Sequence, residues 1–185
     1  MNISNYFYWD EVFSTEEIKN INSLLNKHRK KREASYLKSK PAKKTSTVYP
    51  IKIEFLKENL KKIFLKIIEA NQNHYGYDIY SNNFNDETEL HYNIYKKGEE
   101  YEWHIDAEVF KNSDIKLTVL INISDSSFSG GDFNLLDSNK PTLVSELNKP
   151  GSMIIFNSFF LHRVNPVTKG TRKTLTIFVK GPAFK

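Results

Sequence analysis

Apolar residues in the first part of the chain recur at helical intervals. Ile18, Ile21, Leu24 and Leu25 follow Ser14-Thr15-Glu16-Glu17. That tetrapeptide reads as a capping box, in which the Ser14 hydroxyl accepts from the Glu17 N–H and the Glu17 carboxylate reaches back to the Ser14 N–H. The spacing predicts a helix from Ser14 that frays in the basic run near His28. The polar stretch 34–49, which holds Pro41, reads as a loop. A second helix is expected from near Pro50 to about Asn71, with Leu56, Leu60, Ile63, Phe64 and Ile67 as its apolar stripe. Both stripes read as core packing.

After Gly76 the period changes. Leu90, Tyr92 and Ile94 alternate with polar residues, as in a half-buried strand. Further strands are expected at 116–123, 132–136, 152–156, 161–164 and 173–180, with Gly130-Gly131 and Pro150-Gly151 as turn signals. Two helices followed by many short strands predict an α+β, mainly β fold, a sandwich or barrel with helices packed on one face. The expected organisation is one domain over 1–185, helical to residue 75 and β-rich from 76.

Composition narrows the class. A hydrophobic fraction of 39% and an aromatic fraction of 14% favour a packed core over disorder. No apolar run approaches the roughly 18 residues needed to span a bilayer. The first residues lack a basic region followed by an apolar stretch, so a cytoplasmic location is expected. There is no cysteine. The fold therefore uses no disulfide, and a metal site must draw on His and carboxylate.

The net charge of +5 is uneven: Lys27, Arg29, Lys30, Lys31, Arg32, Lys38, Lys40, Lys43 and Lys44 face only Glu33 locally. Such a run could attract nucleic acid or acidic protein, but it reads more readily as a solvated helix end running into a loop. Lysine outnumbers arginine, which dominates base-specific contacts, so sequence-specific DNA binding is not expected.

The chemistry gathers in Trp103-His104-Ile105-Asp106. Residues two apart on a strand point to one face, which sets an imidazole beside a carboxylate. A second imidazole from His162 would complete a facial set of three for Fe(II), with three positions left open. Taken alone, His-x-Asp is explained more readily by a hydrogen-bonded histidine in a β-rich core, and the same holds for a lone His162. Arg172 changes the balance. An arginine within an apolar strand calls for a buried anion, which its planar fork can grip bidentately. Pro166 and Gly170 mark a turn that would set His162 and Arg172 on neighbouring antiparallel strands, with Thr174 facing the same side as Arg172.

In this order, Tyr95-Lys96-Lys97-Gly98, Trp103-His104-Ile105-Asp106, Lys116-Leu117-Thr118-Val119-Leu120, Gly130-Gly131-Asp132-Phe133, Pro150-Gly151-Ser152 and His162-Arg163-Val164 through Gly170-Thr171-Arg172 make the chain resemble the iron(II)/2-oxoglutarate-dependent dioxygenases, in their prolyl 4-hydroxylase-like branch. The resemblance covers roughly 89–182. It implies a double-stranded β-helix (jelly-roll) core and the cofactors Fe(II), 2-oxoglutarate and O2, with ascorbate as an accessory reductant. It makes His104, Asp106 and His162 the metal ligands. Arg172 would bind the distal carboxylate of 2-oxoglutarate, helped by the Tyr95 hydroxyl, with Thr118 and Thr174 lining the same pocket. Gly130 and Gly131 would form a tight turn, and Trp103 would pack on the face opposite His104.

The implied reaction hydroxylates an unactivated C–H bond and yields succinate and CO2. The resemblance points to a prolyl residue of a peptide or protein, over which segments 34–49 and 78–87 could close. A nucleic-acid base is the weaker alternative. Nucleic-acid dealkylases of this superfamily carry a further arginine six residues after the position of Arg172, where this chain has Phe178. A non-catalytic metal-binding barrel is the third reading, and the intact ligand set weighs against it.

Overall fold

A computed structural model of the chain describes residues 5–29, 42–107, 113–137 and 140–183. Much of the basic run and most of the expected 34–49 loop lie outside the described residues. The chain opens with a short strand, β1 (Tyr6–Trp9), and helix α1 (Thr15–His28). The capping box forms as read: the Glu17 N–H donates to Ser14 Oγ at 3.2 Å, and the Ser14 N–H donates to Glu17 Oε2 at 2.8 Å. Strand β2 (Thr47–Lys52) follows, then a 3-10 turn and helix α2 (Lys57–Ala70). A single π-turn to Tyr75 extends α2 and ends at Gly76, whose φ of 68° is left-handed.

The remaining strands are β3 (Glu89–Lys96), β4 (Tyr101–His104), β5 (Ile115–Asn122), β6 (Ser129–Gly130), β7 (Phe133–Asp137), β8 (Lys140–Leu143), β9 (Met153–Asn157), β10 (His162–Val164), β11 (Val167–Lys169) and β12 (Thr171–Lys180). Six of the strands form a major sheet in the order β1-β9-β5-β12-β3-β2. A minor sheet, β4-β10-β7-β8, faces it, and β6 pairs with β11. The result is a jelly roll with both helices on one face.

Strand alternation decides what lies inside. Leu117, Val119 and Ile121 of β5 and Leu175, Ile177 and Val179 of β12 pack with Ile18, Ile21, Leu25, Leu60, Ile63 and Ile67 of the helices. That apolar layer fixes the register, since a one-residue slip would turn every strand over. The opposite faces of the same strands present Arg172, Thr174, Thr176 and Phe178 of β12 and His91, Asn93 and Tyr95 of β3 to a chamber between the sheets. Leu120, Phe133, Leu135, Ile154 and Phe156 form an apolar cluster there. No helix among the described residues is long and apolar enough to cross a membrane.

Two expectations are corrected. The second helix does not start near Pro50. Residues 47–52 form β2, with Pro50 opposite His91. Proline has no N–H to donate, and an edge strand leaves one flank where no ladder bond is needed. The part before residue 76 is therefore not purely helical, because β1 and β2 form the two edges of the major sheet.

Candidate active site

His104 is the last residue of β4 and His162 the first of β10, and the two are direct cross-strand partners. Asp106 lies beyond the strand, in a bend. Its direction is therefore set by the bend rather than by alternation along a strand. The Asp106 and Ala107 N–H groups both donate to the Ser158 carbonyl, at 2.9 and 3.1 Å. The bend brings Asp106 Oδ1 to 3.8 Å from His104 Nε2, and Oδ2 to 3.4 Å from His162 Nε2. One ligand atom from each of the three residues lies within 4.8 Å of the others, close enough to share one metal ion.

The remaining ring nitrogens fix the tautomers. His104 Nδ1 lies 2.7 Å from the Glu102 carbonyl, and His162 Nδ1 lies 2.8 Å from the Phe160 carbonyl. A carbonyl only accepts, so each Nδ1 carries the proton and each Nε2 presents a lone pair inward. Burial, followed by the neighbouring His162, pushes the His104 pKa down to about 3. Burial alone would raise the Asp106 carboxyl. The adjoining imidazoles and the Thr118 hydroxyl outweigh it and hold the group below the usual carboxylate range. Two imidazole nitrogens and one carboxylate form a donor set that suits Fe(II) and leaves coordination positions for other ligands.

Arg172 lines the same chamber from the opposite sheet. It is 1% exposed, and its Nε has no hydrogen-bond partner. Among the described residues no carboxylate lies within ion-pair distance of it. A guanidinium in such a place is costly unless an anion joins it. Tyr95 is its partner across the β12–β3 ladder, and the guanidinium carbon lies 5.6 Å from the Tyr95 ring centroid. Burial pushes the Tyr95 hydroxyl up and the Arg172 guanidinium down. Thr174 projects into the chamber two residues along β12. Gly131, at φ +68°, lies against the arginine stem, and a Cβ there would come within 2.8 Å of Arg172 Cδ. The Gly130-Gly131 pair is thus a turn that also makes room for Arg172.

Two placements differ from expectation. His162 and Arg172 are not on neighbouring strands. β10 belongs to the minor sheet and β12 to the major one, and β11 carries the chain between them. The two residues meet across the chamber instead. Thr118 does not line the pocket beside Arg172 either. It is the register partner of Phe178, six residues along β12, or roughly 20 Å at about 3.3 Å per residue. Its hydroxyl lies 2.8 Å from Asp106 Oδ2. Trp103 packs away from the ligands, under the Arg163 guanidinium at 4.7 Å.

Sequence reasoning missed several residues here. Ser158 grips the Asp106 bend, Lys44 reaches into the chamber above the Tyr101 ring at 4.5 Å, and His91 meets Phe178 edge to face at 5.1 Å. Only the even spacing of Phe178 from Arg172 along one strand face was available as a signal. Lys44 stood out only as a member of the basic run, and nothing local marked Ser158.

Residues 90–180 match the model of the 2OG-Fe(II) oxygenase superfamily. A PKHD-type hydroxylase of Idiomarina loihiensis is 32% identical over 89 residues, which span 48% of this chain and 40% of that protein. The chain thus covers well under half the length of that curated relative. Among solved structures, a Pseudomonas putida prolyl-4-hydroxylase superposes with a TM-score of 0.68 at 12% identity, covering 97% of this chain and 94% of that one. The 2OG complex of a viral collagen prolyl hydroxylase from Paramecium Bursaria Chlorella virus-1 gives 0.67 at 17% identity, over 97% and 98%. A Trichoplax adhaerens prolyl hydroxylase in complex with a hypoxia inducible factor peptide fragment gives 0.68 at 17%, over 97% and 84%. These likenesses show a shared fold, and the family model adds the sequence match across the segment that carries both histidines, the aspartate and the arginine. Residues 90–180 thus carry the sequence pattern of the 2OG-Fe(II) oxygenase superfamily, on a fold like that of the prolyl 4-hydroxylases.

Proposed function

We propose that this chain is an Fe(II)- and 2-oxoglutarate-dependent dioxygenase, and that its substrate is a prolyl residue in a peptide or protein. One observation carries the oxygenase reading: a His-Asp-His cluster and a buried arginine that no carboxylate approaches to ion-pair distance among the described residues face each other in one chamber. His104, Asp106 and His162 would hold the iron. Arg172 would bind the distal carboxylate of 2-oxoglutarate, with the Tyr95 hydroxyl and Thr174 beside it. When bound, the iron and co-substrate supply the oxidation of an unactivated C–H bond, with succinate and CO2 as co-products. The protein's part is to orient these groups and keep bulk water from them. No side chain is required as a nucleophile.

The substrate side rests on shape and on the relatives. A groove of about 710 Å³ runs along Tyr80, Asn82, Glu87, His91 and Phe178 and reaches Asp106. It is neither enclosed nor flat, which leaves room for a segment of extended chain to lie partly in it. Segment 78–87, expected to carry specificity, forms part of its wall. Two of the structural relatives named above are prolyl hydroxylases of collagen type or bound to a peptide. Succinate release measured against proline-containing peptides tests the substrate. Turnover that rises with such a peptide and is lost when its proline becomes alanine is the expected result. Turnover of a different substrate class with no response to any proline peptide contradicts it.

A further inference from the structure

Asp106 stands past the end of β4, where no strand ladder orients its side chain. Its carboxylate is nevertheless held. Thr118 Oγ1 lies 2.8 Å from Asp106 Oδ2 and 3.1 Å from Ser158 Oγ. Both hydroxyl residues are fully buried, at 0% exposure. An ionised carboxylate has no proton to give, so Thr118 donates to Asp106. Thr118 has only one proton, so Ser158 must donate to Thr118. The order is therefore fixed: Ser158 hydroxyl to Thr118 hydroxyl to Asp106 carboxylate.

We propose that Thr118 and Ser158 form a hydroxyl relay that presets the Asp106 carboxylate for metal, so that two side chains touching no metal set the metal affinity of this site. The proposal rests on the reading of His104, Asp106 and His162 as a metal centre.

Rigidity at the far end makes the relay effective. Thr118 sits within β5, hydrogen-bonded between β9 and β12, opposite Phe156 and Phe178. Ser158 is anchored by its own N–H, which donates to the Lys116 carbonyl at 3.0 Å, and its carbonyl takes the Asp106 and Ala107 N–H groups. Ser158 thus controls the bend through its backbone and the carboxylate through its side chain. Thr118 bonds Oδ2, the oxygen that lies 3.4 Å from His162 Nε2, and Oδ1 lies 3.8 Å from His104 Nε2. Chains of hydroxyls ending on a charge polarise one another, which strengthens the last bond. Outer partners of metal ligands elsewhere are worth roughly ten- to hundredfold in affinity.

The test is anaerobic titration of the metal-free protein with Mn(II) alone, read as a dissociation constant and as the Mn(II) paramagnetic resonance spectrum. Thr118→Val is expected to weaken Mn(II) binding about ten- to hundredfold and to broaden the spectrum, while thermal unfolding stays cooperative. Thr118→Ser keeps the hydroxyl and is expected to restore affinity to within a few-fold of the parent. Ser158→Ala falls between them. Because the two groups act in series, the double variant is expected to lose no more than Thr118→Val alone. Parent protein that binds Mn(II), with Thr118→Val binding it equally well, overturns the relay alone. So does a serine variant as weak as the valine one. Parent protein that binds no metal overturns the metal centre itself, and the relay with it.

Discussion

His104 and His162 face each other across the β4–β10 ladder with their ring centroids 4.0 Å apart, and each anchors its Nδ1 on the carbonyl two residues before it. The same local device on two strands gives two lone pairs aimed at one point. His104 stacks on Tyr101 and His162 packs against Phe133 and Phe156, but neither side chain takes part in the backbone ladders that hold the sheets. Replacing either by alanine is therefore expected to abolish Fe(II) binding and 2-oxoglutarate decarboxylation while leaving the far-ultraviolet circular dichroism unchanged. Calorimetric titration with Fe(II) measures the first effect. Decarboxylation at the parent rate in His162→Ala would contradict the assignment.

Arg172 is expected to trade stability for binding. Arg172→Met removes charge-assisted bonds worth about 1.5–3 kcal/mol, so 2-oxoglutarate should bind roughly ten- to hundredfold more weakly. The same change removes a buried charge that no carboxylate meets at ion-pair distance among the described residues, Asp132 acting on it only from further away, and the ligand-free protein should become more stable, by about 1–4 kcal/mol. Urea unfolding without co-substrate checks this. A large loss of stability would show that the guanidinium is held by the protein rather than kept for a ligand.

Acid should destabilise the metal-free protein before it affects other regions. The His104 pKa is pushed down to about 3 by burial and by His162, whereas an unfolded histidine titrates near ~6.5. Between those values the unfolded chain binds more protons, so stability is greatest above about 6.5 and is lost as the pH falls toward 3. Asp106 acts in the same direction at lower pH, since its carboxyl is held below its ordinary value. The slope from one such group is at most about 1.4 kcal/mol per pH unit. Urea midpoints measured with chelator from pH 7 to pH 4 should fall, and the fall should be shallower in His104→Gln. Equal slopes in the two proteins would remove His104 as the source.

Two glycines separate backbone cost from contact. Gly76 and Gly131 share a φ of +68°, but a Cβ at Gly76 meets nothing within 4 Å, while one at Gly131 meets Arg172 Cδ at 2.8 Å. Alanine at either should cost about 1–2 kcal/mol of backbone strain. Only Gly131→Ala should also weaken 2-oxoglutarate binding, because the arginine stem must shift. Equal co-substrate affinity in the two variants would show that Arg172 has slack.

The legible parts of the sequence were those carried by local period or local chemistry. Ser14 and Glu17 specified a helix start within four residues. Leu90, Tyr92 and Ile94 revealed β3 because its two faces meet different surroundings, the helices on one side and the chamber on the other. β5 was expected as a strand over 116–123, and it is buried on both faces. Strands β1, β6, β8 and β11 are too short for a period to show, and they are made by their partners. Pro50 misled because a proline after a loop resembles a helix start, and only the edge position in the sheet makes it a strand residue. At the site, His104, Asp106, His162 and Arg172 stood out by residue type. Thr118 was visible but misplaced, since strand alternation gives the face of the sheet but not the depth along it. Ser158 was silent, since its role comes from two hydrogen bonds across a bend that only the folded chain assembles.

The central claim is that His104, Asp106, His162 and Arg172 form one site for Fe(II) and 2-oxoglutarate together. Anaerobic titration of the protein with Fe(II) and then 2-oxoglutarate, followed by visible absorption, tests it without knowledge of the substrate. A metal-to-ligand charge-transfer band that saturates near one equivalent of each is the predicted result, absent in His162→Ala and shifted to higher co-substrate concentration in Arg172→Met. Tight Fe(II) binding with no band at any 2-oxoglutarate concentration, or a band that survives loss of His162, would contradict the account.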